Sequence, residues 1–322
     1  NPPSPDDVTF PVTIFSHGLR SQRNTAIPIL NALAAGGHAT VAIDTVFHGD
    51  RSTCAGITAA AGLFIGQEPL DTPDEACAVG TCDTNIDSPT YGRCVSTTRD
   101  TCNPSPMAAE PGDITCADAN QGRCLPTSAT DPTQGVCEGG TFRLDDKGTP
   151  YVSGWNMLNL GNLFATRDNF RQHTIELAQL ERVLVADGID ALLTAHFQDQ
   201  NVTIDGTRIH YIGQSLGGIL GPIYTAASPN VQNAVFNVPG GNLTGILLTS
   251  PAFETAREGF LLNLEAQGLA QGTPAFDQFI GLSRMILDPA DPINYIYSVE
   301  NGPASPANRE ALVQYIENDQ VS

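Results

Sequence analysis

The chain is poor in basic residues. Its 322 residues include 15 Lys and Arg against 35 Asp and Glu, which gives a formal net charge of −20 at pH 7. Binding to phosphate groups needs clustered Lys and Arg, so nucleic acid is excluded as a partner. The same shortage disfavours an anionic membrane surface, whereas an apolar or zwitterionic lipid aggregate is compatible with this charge.

Long apolar runs are also missing. No stretch of about 18 apolar residues occurs, so no transmembrane segment is expected. The first seven residues, Asn-Pro-Pro-Ser-Pro-Asp-Asp, lack Met and any basic or apolar leader, which indicates a mature or trimmed terminus rather than a signal peptide. The hydrophobic share of 41% is enough for a large core, and the charged share of 16% is too low for a disordered polyelectrolyte.

Cysteine is absent from residues 1–53 and 138–322. The stretch between them is rich in Gly, Pro, Thr, Ser and Asp, and it contains eight cysteines: Cys54, Cys77, Cys82, Cys94, Cys102, Cys116, Cys124 and Cys137. An even number in such a stretch predicts a module held by disulfides, with a pairing that the sequence does not determine. Zinc is the less favoured alternative, because the module has no Cys-x-x-Cys pair and no His.

Disulfides indicate an oxidising compartment, so we expect a secreted, periplasmic or cell-surface protein. The module also repeats itself: residues 81–85 with 92–94 (TCDTN and GRC) resemble residues 115–120 with 122–124 (TCADAN and GRC). Structural calcium is an alternative use of its Asp and Asn oxygens. However, no EF-hand loop is present, and Asp, Asn and Gly are typical of tight turns. No cofactor is therefore predicted.

Around this module, apolar β-branched runs alternate with amphipathic stretches. The predicted strands cover residues 8–16, 39–46, 202–204 with 208–213, 243–249 and 311–316, and the predicted helices cover residues 25–35 and 166–186. Such alternation predicts an α/β fold, a mainly parallel sheet with helices on both faces. We expect one core from residues 1–53 and 151–322, interrupted after its second strand by a Cys-rich insertion, residues 54–150.

A Gly-x-Ser-x-Gly pattern follows the strand predicted over residues 208–213: Gly213, Gln214, Ser215, Leu216 and Gly217. A nucleophilic Ser must stand clear of the sheet on a sharp turn, and flanking glycines tolerate the crowded backbone. The helix that follows would present free N–H groups to an oxyanion. We therefore predict that Ser215 is a nucleophile; the alternative is an ordinary turn in which Ser215 only caps the helix.

This turn, together with His17-Gly18-Leu19 after the first strand, resembles the α/β-hydrolase superfamily, and within it the secreted bacterial lipases and esterases. The resemblance covers most of the chain apart from the Cys-rich insertion. It implies that the backbone N–H groups of Leu19 and Leu216 form the oxyanion hole. It also implies that His17 and Gly18 shape the loop, so that His17 is not the general base.

The base is not evident from the sequence. The family order is Ser, then Asp or Glu, then His. All six histidines nevertheless precede Ser215: His17, His38, His48, His173, His196 and His210. His48, after the second strand, is the one with reach, in an order the family does not use. We therefore expect the catalytic His on a further C-terminal fragment or a second chain.

Asp319 is the predicted acid, because it follows the last predicted strand at the position that the family gives to its acid. Asp288 and Asp291 are alternatives, but Asp-Pro pairs are typical of turns and no strand precedes them.

Two apolar regions have two interpretations each. Residues 251–285 form either a cap over the site or a core helix pair. The patch made by Trp155, Met157, Leu158, Leu160, Leu163 and Phe164 either lines the pocket mouth or anchors the insertion.

The sequence thus predicts a metal-independent serine carboxylester hydrolase that acts on small-molecule or lipid esters with hydrophobic acyl groups. No phosphate-binding loop with a Lys and no His-x-x-x-His helix supports cofactor chemistry. Two alternatives stay open: a secreted serine peptidase of the same fold, and a catalytically inactive hydrolase scaffold that displays the Cys-rich module for binding.

Overall fold

The computed structural model describes residues 7–56, 67–105, 112–128, 130–186, 188–196 and 201–319. These residues form two compact units. We call residues 7–46 and 157–319 the sheet unit, and residues 47–56 and 67–156 the Cys-rich unit. None of the described helices is long and apolar enough to cross a bilayer.

The sheet unit is built on five parallel strands. They are β1 (Asp7–Ser16), β2 (Ala39–Ala42), β3 (Asn201–Gln214), β4 (Val231–Asn237) and β5 (Glu310–Gln314). Their order in the sheet is β5-β4-β3-β1-β2, so β3 is the central strand and β4 and β1 lie on either side of it. The predicted α/β class and the parallel sheet are confirmed.

Eight helices accompany the strands within the described part of this unit. They are α1 (Ile27–Ala35), α2 (Leu163–Val185), α3 (Asp190–His196), α4 (Leu216–Ala227), α5 (Leu243–Thr249), α6 (Glu254–Ala266), α7 (Pro274–Leu287) and α8 (Ile296–Asn301). Helix α4 is apolar and buried along almost its whole length. It follows β3 directly, which places its N-terminus at the carboxyl end of the central strand.

One strand prediction is wrong. Residues 243–249 form helix α5, because Asn242 adopts a left-handed conformation (φ 59°) and its side chain accepts the N–H of Gly245, which caps the first turn. The strand that follows α4 is instead β4, which the sequence analysis missed. The runs at 202–204 and 208–213 belong to one strand, with an irregular register where Asp205 and Ile209 face consecutive residues of β1.

A buried polar cluster ties β5 to the rest of the unit. Arg309, just before β5, is 5% exposed, and its guanidinium donates to the carbonyls of Thr225, Ser228, Val231 and Val299. The nearby carboxylate of Glu181 accepts hydrogen bonds from Tyr224, Ser228 and Asn230. These contacts satisfy the buried charges on both sides.

The Cys-rich unit has little regular structure and four disulfides, so the predicted disulfide module is confirmed. The pairs are Cys54–Cys82, Cys77–Cys94, Cys102–Cys124 and Cys116–Cys137. The described side chains that lie close enough together to share a metal ion are cysteines. All of these cysteines are disulfide-bonded, as the preferred interpretation of the module expects.

The disulfides define two tandem repeats whose register differs from the one predicted. In each repeat the first Cys pairs with the third and the second with the fourth, so Cys82 corresponds to Cys124 and not to Cys116. An Asp three residues before the second Cys accepts the N–H of the third Cys in both repeats, at 2.8 Å in one and 2.7 Å in the other.

Two further contacts hold this unit together. Glu138 is 2% exposed and accepts hydrogen bonds from Arg93 in the first repeat (2.7 Å) and Arg123 in the second (3.4 Å). Trp155 is 2% exposed, and its Nε1–H donates to Oε1 of Gln67 at 2.5 Å. Trp155 therefore belongs to the packing of the Cys-rich unit, as the anchor interpretation expects.

Candidate active site

Ser215 lies on the turn between β3 and α4. Its backbone has φ 52° and ψ −114°, a region that a residue with a Cβ rarely occupies and that costs about 1–3 kcal/mol. Its N–H donates to the carbonyl of Asn237 in the neighbouring strand at 2.9 Å. The Ser215 side chain is half-buried and makes no capping hydrogen bond to α4, so the cap alternative does not describe it.

The two glycines of the pattern are required by close backbone contacts. A Cβ on Gly213 would lie 2.2 Å from the carbonyl oxygen of Gly217. A Cβ on Gly217 would lie 2.1 Å from the carbonyl oxygen of Ser16, at the end of β1. No side chain fits at either position, so this sharp turn depends on both glycines.

The His17-Gly18-Leu19 loop lies against Ser215. A Cβ built on Gly18 would be 3.8 Å from Oγ of Ser215, and the N–H of Gly217 donates to the carbonyl of His17 at 3.0 Å. Leu19, Ser215 and Leu216 line one cavity. The structure thus brings together the predicted nucleophile and the two residues predicted to form the oxyanion hole. Gln214 is exposed beside them.

His17 holds the loop in shape. It is fully buried, its Nδ1–H donates to the carbonyl of Gly18 at 2.8 Å, and its Nε2 accepts the N–H of Thr45 at 3.0 Å. Because a trans peptide is planar, fixing the Gly18 carbonyl also fixes the opposite direction of the Leu19 N–H. Burial lowers the pKa of His17, against the raising effects of its Gly18 hydrogen bond and the Asp44 carboxylate. Both ring nitrogens are occupied, so His17 is a poor general base.

Asp44 fixes the other end of this loop. Its carboxylate is almost fully buried, accepts the backbone N–H of Arg23 at 2.6 Å, and forms an ion pair with the Arg23 guanidinium. This contact was not predicted from the sequence, although Asp44 follows directly on the run that forms β2. It closes the loop between β1 and α1 against the end of β2.

The cavity beside Ser215 is almost entirely apolar. Its volume is about 690 Å³ including the open mouth, and its lining consists of Leu19, Leu158, Leu160, Leu163, Thr166, Phe170, Ser215, Leu216, Ile219, Leu243, Ile246, Leu247, Phe253 and Leu287. The Thr166 hydroxyl is already bonded to the backbone of Asn159, accepting its N–H at 2.7 Å and donating to its carbonyl at 3.1 Å. Ser215 therefore supplies the polar atom of this cavity that remains available for chemistry.

The two apolar regions with open interpretations both contribute to this cavity. Leu158, Leu160 and Leu163 line it, as the pocket interpretation expects, whereas Met157 is buried in the adjoining core. From the region 251–285, Phe253 lines the cavity. Helices α6 and α7 also expose large apolar side chains to solvent, which a pair of core helices would bury.

The other described histidine side chains of the sheet unit have partners other than Ser215. Nδ1 of His38 lies 3.0 Å from the Thr13 hydroxyl, and its ring centre lies 5.1 Å from that of His210 with the two planes tilted by 54°. Nε2 of His173 lies 3.0 Å from the Ser16 hydroxyl. Among the described side chains of this unit, no histidine hydrogen-bonds to Ser215. His48 belongs to the Cys-rich unit, and His196 ends α3.

Asp319 lies just beyond β5, as predicted, but it lines a different cavity. The walls of this second cavity include Asn242, Thr249 and Arg284, and Ile246 borders both cavities. Asp319 is half-buried there. The structure therefore does not bring Asp319 into the lining around Ser215.

Of the two alternative acids, Asp291 has a structural task. Its carboxylate accepts the N–H groups of Asn242 at 2.9 Å, Leu243 at 2.7 Å and Ile293 at 3.1 Å. Both oxygens are thus used to hold the start of α5. Asp288 begins a short 3₁₀ turn after α7.

Comparisons with known proteins find matches among solved structures. No protein-family model and no curated protein sequence matches the chain. Acetyl xylan esterase 1 from Thermoanaerobacterium sp. JW/SL YS485 is 14% identical with a TM-score of 0.40, covering 98% of this chain and 70% of that one. The alpha/beta hydrolase GrgF from Penicillium sp. sh18 is 11% identical with a TM-score of 0.33, covering 97% and 83%. An acetyl xylan esterase from Paenibacillus sp. R4 is 13% identical with a TM-score of 0.34, covering 98% and 71%.

Proposed function

We propose that this protein is a serine carboxylester hydrolase that acts on hydrophobic acyl esters through an acyl-enzyme. The observation that carries the proposal is the position of Ser215: a strained residue at the end of the central strand, open to an apolar cavity and beside the His17-Gly18-Leu19 loop. Strain of this kind is typical of functional sites, where the surrounding structure holds it.

In the proposed reaction, Oγ of Ser215 attacks the acyl carbon while its proton passes to a base. The oxygen of the tetrahedral intermediate accepts the N–H groups of Leu19 and Leu216, and the loss of one such donor costs about 3 kcal/mol. Collapse releases the alcohol, which takes the proton back from the base. Water then repeats the sequence on the acyl-enzyme and releases the acid.

The apolar cavity supports the choice of acyl group. Each methylene of an acyl chain that leaves water contributes about 0.8 kcal/mol, and no described side chain of the lining is charged. A charged or sugar-like acyl group would lose its hydration there without receiving hydrogen bonds in return.

The catalytic imidazole is proposed to come from a further C-terminal fragment or a second chain, with Asp319 orienting it. This is supported by the engagement of His17, His38 and His173 in other contacts. Intact-mass measurement of the native protein tests the proposal. An additional His-bearing polypeptide is expected, and an active protein with the mass of these 322 residues alone would contradict it. His48→Gln and His196→Gln should both retain turnover.

The inactive scaffold is the second candidate function, and one observation favours it: no described histidine side chain of the sheet unit hydrogen-bonds to Ser215. In that case, the protein would bind a partner through the Cys-rich unit without hydrolysing esters. Measurable turnover that depends on Ser215 would exclude it.

A panel of p-nitrophenyl esters from acetate to decanoate tests the function. We expect kcat/KM to rise with acyl length, by up to about fourfold per methylene, until the cavity is full. Ser215→Ala should lower kcat by about 10⁴-fold or more. The control is Ser298→Ala, which changes a half-buried serine on α8 outside the cavity lining and should leave turnover unchanged.

Two results of this panel would contradict the proposal. One is turnover that survives Ser215→Ala, and the other is a preference for peptide anilides over esters, which would favour the peptidase alternative.

A further inference from the structure

Three buried polar side chains lie beneath the turn that carries Ser215, and the reaction described above uses none of them. Ser16 is the last residue of β1, Tyr211 lies on β3, and His173 lies on α2. Each is at most 1% exposed. Burying polar groups is unfavourable unless they are hydrogen-bonded, so their partners show what they hold in place.

The three side chains make two hydrogen bonds beneath this turn. The Tyr211 hydroxyl donates to the carbonyl of Gly217 at 2.7 Å, because a carbonyl oxygen can only accept. The Ser16 hydroxyl is hydrogen-bonded to Nε2 of His173 at 3.0 Å. Ser16 and Tyr211 lie on the neighbouring strands β1 and β3, so the two hydrogen bonds are made side by side in the sheet.

Both ends of the proposed oxyanion hole lie next to these two hydrogen bonds. Ser16 directly precedes the His17-Gly18-Leu19 loop, and its carbonyl oxygen occupies the space in which a Gly217 Cβ would stand. Gly217 follows Leu216, and its N–H donates to the carbonyl of His17 at 3.0 Å. The hydrogen bond from the Tyr211 hydroxyl fixes the Gly217 carbonyl, and the hydrogen bond between Ser16 and His173 fixes the start of the His17-Gly18-Leu19 loop.

We propose that His173, Ser16 and Tyr211 are positioning residues that hold the N–H groups of Leu19 and Leu216 in register with Ser215. The inference rests on the proposed function of Ser215 and deepens it. None of the three touches the substrate. They act through the backbone of Gly217 and of the loop, where a displacement of about 1 Å can lower the rate by about 10²-fold.

Tyr224 offers a matched control for Tyr211. It is also 1% exposed, its ring lies 5.5 Å from that of Tyr211, and its hydroxyl donates one hydrogen bond, to Glu181 at 2.7 Å. Tyr224→Phe and Tyr211→Phe therefore remove the same atom from the same core. If the Tyr211 hydroxyl only stabilises the fold, the two variants should behave alike.

The experiment compares kcat and KM for p-nitrophenyl octanoate, with kcat expressed per site titrated by a fluorophosphonate. Tyr211→Phe and Ser16→Ala are each expected to lower kcat by about 10- to 100-fold with KM within about twofold. Tyr224→Phe should lower the melting temperature comparably and leave kcat within about twofold of the wild type. His173→Gln keeps a side-chain group that can hydrogen-bond to Ser16 and should retain more kcat than His173→Leu.

A double variant completes the test. Because Ser16 and Tyr211 both hold the close contact between the Ser16 carbonyl and Gly217, Ser16→Ala with Tyr211→Phe should lower kcat little further than the stronger single change. Equal kcat in Tyr211→Phe and Tyr224→Phe, or fully multiplicative effects in the double variant, would overturn the positioning role. The proposed function of Ser215 would stand in either case. A wild type that hydrolyses no ester would instead overturn the proposed function, and this inference with it.

Discussion

Ser215 keeps its strained backbone because its neighbours leave it no alternative. The Ser215 N–H is bonded to β4, the Gly217 carbonyl to Tyr211, and the Gly217 N–H to the His17 carbonyl. The carbonyl oxygen of Ser16 packs against Gly217 too closely for any side chain. Backbone contacts therefore hold the turn on two sides: the Ser16 carbonyl packs against Gly217, and the Asn237 carbonyl accepts the Ser215 N–H.

Gly217→Ala tests this close packing. Its Cβ would lie 2.1 Å from the Ser16 carbonyl oxygen, so the turn or the loop must move, and we expect kcat on p-nitrophenyl octanoate to fall by about 10²-fold or more. Gly281→Ala is the control, because a Cβ there meets nothing within 4 Å on helix α7. That change should leave kcat unaltered and stabilise the helix by up to about 1 kcal/mol. Equal kcat in the two variants would show that the turn tolerates a side chain.

At the residue scale, a local sequence pattern marks Ser215, the family resemblance marks Leu19 and Leu216, and all three line one cavity. The sequence could not predict that Ser16 meets His173, since they lie 157 positions apart and neither belongs to a recognisable motif. Contacts of this kind depend on the register of β1 beside β3 and on the face that α2 presents. The role of His17 as a loop-shaping residue was implied by the family resemblance, and its two hydrogen bonds show how the shaping is achieved.

Helix α5 shows how a single carboxylate can determine an element. Asp291 accepts the N–H groups of Asn242 and Leu243, which helix formation leaves without a partner at its start. The helix then turns Ile246 and Leu247 into the cavity beside Ser215. From sequence, the run Leu-Thr-Gly-Ile-Leu-Leu-Thr was predicted as a strand, because a short apolar run does not distinguish the two structures. The distant Asp291 and the left-handed Asn242 decide for the helix.

Asp291→Ala should therefore loosen one wall of the cavity. Each backbone N–H left unsatisfied costs about 1–3 kcal/mol, so the melting temperature should fall. We expect KM for p-nitrophenyl octanoate to rise by about tenfold, whereas KM for the acetate, which buries one methyl group, should change little. Asp291→Asn retains a side-chain oxygen that can accept a hydrogen bond, so its KM for octanoate should lie between those of the wild type and Asp291→Ala. An unchanged KM for octanoate in Asp291→Ala would contradict this account, because it would show that holding the start of α5 does not affect acyl binding.

At the scale of the whole molecule, the two units are stabilised in different ways. The sheet unit buries a large apolar core around Tyr211, Tyr224 and Phe236. The Cys-rich unit relies on four disulfides and the Glu138 ion pairs. Composition alone predicted this contrast, because a stretch with few large apolar residues needs covalent links.

The repeat register of the Cys-rich unit is present in the sequence, but only one of two possible alignments of the repeats shows it. Matching the Gly-Arg-Cys triplets pairs Cys94 with Cys124. Matching Pro89-Thr90-x-Gly92-x-Cys94 with Pro132-Thr133-x-Gly135-x-Cys137 instead gives the register that the disulfides follow. The triplet is misleading because its two arginines converge on Glu138 from different places in their repeats.

Removing one disulfide tests the contribution of these links. Cys102 and Cys124 are 22 residues apart, so replacing both by Ala should lower the free energy of unfolding of the Cys-rich unit by about 3 kcal/mol. Urea unfolding followed by the fluorescence of Trp155, the one tryptophan of the chain, reports on this unit. Replacing Cys54 and Cys82, the corresponding pair of the other repeat, should give a similar loss. A urea midpoint that does not move would contradict the covalent account.

The central claim is that Ser215 is the nucleophile, and the most direct measurement is to locate a fluorophosphonate adduct by peptide mass spectrometry. We predict one adduct per chain, on the peptide that contains Ser215, with loss of ester turnover in proportion to labelling and no adduct in Ser215→Ala. An adduct on another residue, or full turnover in a protein fully labelled at Ser215, would contradict the account.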